Sequence, residues 1–195
     1  MQSIHKDPSL REGLTWAKFF RFIALPFSPS RLNTFMQVKK FEDVSVKRLL
    51  EQGLKGVLID ADGTLASHHA RKFNLSVLDH VRIMLENGLK VAIYTNACED
   101  RFEVFQKMGE EVVSNVPAKP DPRGFQIAMT DFLHLNDPTK VCMIGDSYVT
   151  DGGAIDAGML FIHVQPVKGN ESLMHSATRL FAYLCAKMYG RETAK

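Results

Sequence analysis

A chain of 195 residues suits one domain, and at that size folding buries roughly 70% of the surface that the unfolded chain exposes. With 45% hydrophobic and 24% charged residues it has the make-up of a soluble globular protein, which excludes disorder and a membrane bundle. A net charge of +2 is too small to call for nucleic acid; Cys98, Cys142 and Cys185 are too scattered for a disulfide framework or a zinc site, so a reducing cytoplasm is expected.

The first predicted element is a basic amphipathic helix in "LTWAKFFRFIALPF", residues 14–27. Trp16, Phe19, Phe20, Ile23 and Phe27 share one face, while Arg11, Thr15, Lys18 and Arg21 share another. Lys18, Arg21 and Pro26 interrupt the apolar run, so it reads as neither a membrane span nor a secretory signal. Such a helix lies on an anionic membrane surface or docks on its own domain or a partner, and the pattern suits either. Residues 1–50 read as this arm and a helix packing on the core, and residues 51–195 as the main domain.

Five nearly continuous apolar runs follow: "GVLID" (56–60), "KVAIYT" (90–95), "EVVSN" (111–115), "KVCMIG" (140–145) and "LFIHV" (160–164). Such runs are strands covered on both faces. Helical spacing recurs between them, at Val77, Val81, Met84 and Leu85 before Gly88, at Phe102, Phe105 and Met108 before Gly109, and at Phe125, Ala128, Met129 and Phe132 after Pro122. Alternating strand and helix predicts an α/β fold, a doubly wound parallel sheet. Met143, Ile144 and Phe161 read as core. In the last helix, Leu173, Ala177, Leu180, Phe181, Leu184 and Met188 form an apolar stripe expected to pack against the sheet.

Doubly wound sheets bind ligands at the carboxyl ends of their strands. The polar residues there are Asp60 and Asp62, then Thr95 and Asn96, then Lys119 in the loop after the third run, then Asp146, Ser147 and Asp151. Clustered carboxylates call for a cation, and hard oxygen ligands suit Mg²⁺, held by Asp60 and Asp146 with room for a phosphoryl group. Lys119 adds a point charge and Thr95 a donor for phosphoryl oxygens. Asp60 is the candidate nucleophile and Asp62 the candidate general acid and base.

"DADGT" (60–64), "YTN" (94–96), "KP" (119–120) and "GDSYVTD" (145–151) resemble, in order, the four motifs of the haloacid dehalogenase (HAD) superfamily of phosphatases. The resemblance spans about residues 55–165 and implies an aspartyl-phosphate on Asp60. It further implies Asp62 binding the metal through its backbone carbonyl, Thr95, Asn96 and Lys119 holding the phosphoryl group, and Asp151 supporting the metal site or Lys119. The segments 64–76 and 96–119 are too short for a cap domain, so the HAD-like Rossmannoid core is expected to be capless. That architecture, with helical flanks, is similar to subfamily IIIA and its YqeG-like branch, related to phosphatidylglycerophosphate phosphatases. Gly63 stands where many members of that branch have Asn. The resemblance implies a phosphomonoester substrate; together with the missing cap and the basic aromatic arm it favours a membrane lipid phosphate, with peripheral contact at the inner face of the membrane through residues 14–27 as one of the arm's two alternatives.

The rival readings are a small-molecule phosphatase of the same superfamily and a phospho-accepting receiver-like signalling domain. A receiver carries its phospho-accepting Asp on the third strand, whereas Asp60 ends the first run, and Asp62 favours turnover over storage. His68, His69, Arg71 and Lys72 follow in a loop where an anionic substrate and plain solvent suit them equally, and Cys98 reads as a packing residue.

Overall fold

Six parallel strands make one sheet: β1 Met36–Val38, β2 Gly56–Ile59, β3 Lys90–Ile93, β4 Glu111–Val112, β5 Val141–Gly145 and β6 Leu160–Val164, in the order β1-β6-β5-β2-β3-β4. The computed structural model describes residues 15–68, 70, 72–97, 102–169 and 173–193. Its helices are α1 Trp16–Ala24, α2 Val46–Glu51, α3 Leu75–Glu86, α4 Glu103–Lys107, α5 Pro122–Ile127, α6 Gly153–Asp156 and α7 Leu173–Tyr189.

Alternate strand residues point to opposite faces, and each face has its own core. Val57, Ile59, Ile144 and Ile162 pack with Leu49 of α2, Val81 and Met84 of α3 and Phe105 of α4. Leu58, Met143 and Phe161 pack with Phe125 of α5, Ala154 of α6 and Ala182 of α7. Helices therefore cover both faces, as the unbroken apolar runs require, and α/β with a doubly wound parallel sheet is the observed fold. No domain is inserted after β2 or β3 among the described residues.

Four of the five expected strands are shorter than their apolar runs, β6 keeping its full length, and β4 keeps only two of its five expected residues. One strand was not expected. β1 runs parallel to β6, with Met36 opposite Ile162 and Val38 opposite Val164. Three residues with a polar Gln37 in the middle give no periodic signal, so a short edge strand of this kind is silent in sequence.

One helix faces the opposite way from expectation. In α7 the residues turned to the protein are Arg179, Ala182, Tyr183 and Ala186, with Gly190 just beyond, whereas Leu180, Phe181, Leu184 and Met188 are exposed. Both stripes have helical spacing. The small one wins because the backbone lies against the turns at residues 25–32: a Cβ on Gly190 would come within 2.4 Å of the Leu32 carbonyl oxygen.

In α1, capped by the Thr15 side chain on Lys18 N, the basic face is the docked one. Arg21 is 5% exposed; its Nε donates to the Tyr148 carbonyl at 3.2 Å, and its guanidinium also reaches the Gly152 carbonyl and Asp156. Arg31 Nε holds the other Asp156 oxygen at 3.0 Å. Charge-assisted bonds of this kind let an arginine be buried without an orphaned charge. Trp16, at 76% exposed, and Phe27, at 84%, face outward with Phe20 and Ile23.

Candidate active site

Asp60 follows β2, and Asp146 follows β5, the strand beside it. Ile59 lies opposite Ile144, and Asp60 N donates to the Ile144 carbonyl at 2.9 Å. The chain leaves β2 towards β3 and returns to β5 on the other flank of β2. That reversal opens a crevice at the carboxyl ends of the two strands, the place where open α/β sheets bind ligands.

Lys119 ties the crevice together. Its Nζ lies 2.8 Å from Asp60 Oδ1 and 2.6 Å from Asp151 Oδ1, and the side chain is 2% exposed. Asn96 fixes its backbone from both sides, accepting from Lys119 N at 2.9 Å and donating to Lys119 O at 3.1 Å. Asp151 turns its second oxygen to Ser147 N at 3.0 Å. Burial works against the Lys119 ammonium, yet the Asp151 and Asp60 carboxylates hold its pKa above the usual lysine range. It is a permanent cation in the site.

Asp60, Asp146 and Asp151 are all buried, and each brings a carboxylate oxygen within 4.8 Å of the others'. Burial raises the Asp60 pKa; Lys119 opposes the shift, and Asp151 and Asp62 add to it. Burial likewise holds Asp146 well above the carboxylate range, with Arg179 opposing and Asp151 and Asp60 reinforcing. Among the described residues two protein cations, Lys119 and Arg179, face three buried carboxylates and leave the cluster short of positive charge, and an all-oxygen donor set of this kind fits Mg²⁺. Space between the elements is tight. Gly63 has φ +81°, and a Cβ there would sit 2.2 Å from Asp146 Oδ2; a Cβ on Gly145 would meet the Asp151 carboxylate.

The expected site residues therefore divide. Asp60, Lys119, Asp146 and Asp151 converge in one buried cluster, with Asp151 a full member. Asn96 holds the backbone of Lys119 and has both amide atoms occupied by it. Thr95 is buried just past β3 at the same edge, its Oγ1 accepting from Ala97 N at 3.1 Å. Asp62 is half-buried in the turn after β2, in a bridge to Ala66. His68 is half-buried and Lys72 exposed, while His69, Arg71 and Cys98 lie outside the described residues. Arg179 was missed: it sits in the middle of α7, and its Nη1 bonds Asp146 Oδ2. An isolated arginine in a predicted helix carries no motif to announce it. The backbone of Asp146 is also hydrogen-bonded to His163, whose ring is stacked between Tyr148 and Tyr183, at 4.7 and 5.5 Å, and whose pKa burial pushes down to about 4.

No protein-family model matches the chain. It is 27% identical over 139 residues to the Probable phosphatase YqeG of Bacillus subtilis (strain 168), a match covering 70% of this chain and 79% of that protein. Among solved structures it is similar to an uncharacterized protein from Listeria monocytogenes serotype 4b, with TM-score 0.48 and 21% identity over 62% of this chain and 85% of the other. A HAD-superfamily hydrolase from Ehrlichia chaffeensis gives TM-score 0.41 and 21% identity over 58% and 59% of the two chains.

Proposed function

We propose that the protein is a Mg²⁺-dependent phosphatase of the HAD superfamily that hydrolyses a phosphomonoester through an aspartyl-phosphate on Asp60. The observation that carries this reading is Lys119, buried between Asp60 and Asp151 beside Asp146 in the crevice between β2 and β5. Similarity to a probable phosphatase supports it. Mg²⁺, held by Asp60 and Asp146 with Asp151 beside them, would offset the charge on the phosphoryl group. Lys119 adds a fixed positive charge, and Thr95 offers a hydroxyl to a phosphoryl oxygen.

In the first step an Asp60 carboxylate oxygen bonds to phosphorus as the bond to the leaving oxygen breaks, and Asp62 gives that oxygen a proton. In the second, Asp62 takes a proton from water as the water oxygen bonds to phosphorus; the bond to Asp60 breaks and inorganic phosphate departs. The preferred substrate is phosphatidylglycerophosphate or another membrane-anchored phosphate, because a site without a cap suits a substrate that no lid could enclose. The test is a Mg²⁺-dependent phosphatase screen of lipid, sugar and nucleotide phosphates, with Asp60→Asn as control. Turnover that requires Mg²⁺ and disappears in Asp60→Asn is expected. Turnover that survives the substitution contradicts the mechanism, and much faster release from soluble phosphates than from the lipid in mixed micelles contradicts the lipid substrate.

A further inference from the structure

Soluble domains rarely leave large aromatic residues in a contiguous exposed patch without a use for it. Here α1 and α7 do so side by side. Trp16, Phe20, Ile23 and Phe27 point outward from the first helix and its following turn, and Leu184 and Met188 from the last. Trp16 and Phe20 stack on one another at 5.8 Å within α1. The two helices meet where the Phe22 and Phe181 rings lie 5.1 Å apart. The patch is not the remnant of a helix that failed to dock: α1 is already anchored through Arg21, and α7 through Arg179.

Charge selects the occupant. The two helices themselves, residues 16–24 and 173–189, contain no Asp or Glu, and Lys187 is an exposed cation on α7. A second copy docked face to face would bring two apolar surfaces with like-charged rims together. An anionic bilayer offers the opposite charge at its surface and hydrocarbon just beneath, the combination for which aromatic residues with neighbouring cations are suited. The position relative to the site agrees. Arg179 turns inward from α7 to Asp146, and the next residue, Leu180, is exposed on the outer side. One helix therefore reaches from the patch to the crevice.

We propose that the outward faces of α1 and α7 form a docking surface for an anionic phospholipid bilayer, which brings the crevice between β2 and β5 to the headgroups. This deepens the phosphatase reading by giving the site a surface on which to meet an anchored phosphate. The chain has a single tryptophan, and Trp16 lies in the patch, so its emission reports the docking directly. The full-length protein is mixed with vesicles of phosphatidylglycerol and phosphatidylcholine, or of phosphatidylcholine alone. A blue shift of Trp16 emission with the anionic vesicles and co-flotation with them are expected. The variant F20S/L184S/M188S is expected to weaken co-flotation at least about tenfold, from the apolar area removed. Two results overturn the proposal: Trp16 emission unchanged by anionic vesicles, and a shift that follows protein concentration without vesicles, which would make a second copy the occupant. Mg²⁺-dependent turnover of a soluble phosphomonoester is measured without lipid on the same preparation. Its loss counts against the phosphatase reading alone, and retained turnover in the triple variant shows that the variant is folded.

Discussion

The strand-end cluster and the paired terminal helices both bury charged side chains, and they leave opposite things unfinished. Around Lys119 the described residues bring three carboxylates together and supply two cations, so negative charge is left over. Around Arg21 the guanidinium's donors are filled by two carbonyls and Asp156, with Arg31 on the same carboxylate, so hydrogen bonding is closed and apolar surface is left over. The surplus in each region points to what completes it: a divalent cation and a phosphoryl group in the first, a hydrocarbon boundary in the second.

The comparison can be broken most sharply at Lys119. Replacing it by Ala leaves Asp60 and Asp151 facing each other without their shared cation, and the loss of a buried pair predicts destabilisation of about 3–5 kcal/mol by urea denaturation without metal. A cost under about 1 kcal/mol would mean that the cluster does not depend on Lys119. Arg21→Ala comes next. It orphans two carbonyls but leaves Asp156 with Arg31, and about 2–3 kcal/mol is expected in the same experiment.

These two regions were not equally legible in the sequence. The strand ends were, because runs such as "GVLID" and "KVCMIG" mark buried strands and a parallel sheet dictates where their last residues gather. Arg179 was not, because its importance comes from a tertiary contact over 33 residues of separation from Asp146. For α1 and α7 the period was readable and the direction was not. Hydrophobicity assigns the larger apolar stripe of α7 to the core, but Ala182, Ala186 and Gly190 permit close backbone approach and Leu184 would not. In α1 the carbonyls that receive Arg21 belong to residues 148 and 152, and no local pattern announces acceptors so distant.

Glu110 sharpens the contrast from a third place, since burial pushes its pKa up from 4.5 to about 7. A carboxyl with a raised folded-state pKa stabilises fully at low pH, and the contribution is lost as pH rises through about 7. Glu110→Gln is therefore expected to match the wild type at pH 4 and to exceed it by about 1–3 kcal/mol at pH 8. Equal stabilities at pH 8 would show that Glu110 ionises freely. The smallest effect belongs to the outward aromatics. Trp16→Ser with Phe20→Ser should change stability in the absence of lipid by no more than about 0.5 kcal/mol, as for surface residues that fill no cavity. A loss of several degrees in Tm would mean that the patch serves the fold.

The most direct measurement of the central claim is to quench the enzyme in acid during turnover and locate covalent phosphate by mass spectrometry of its peptides. Phosphate on Asp60 is the predicted result, accumulating in Asp62→Asn with an aryl phosphate whose leaving group needs no proton, because the second step then lacks its base. Turnover with no adduct on Asp60 in either protein, or an adduct on another residue, would contradict it.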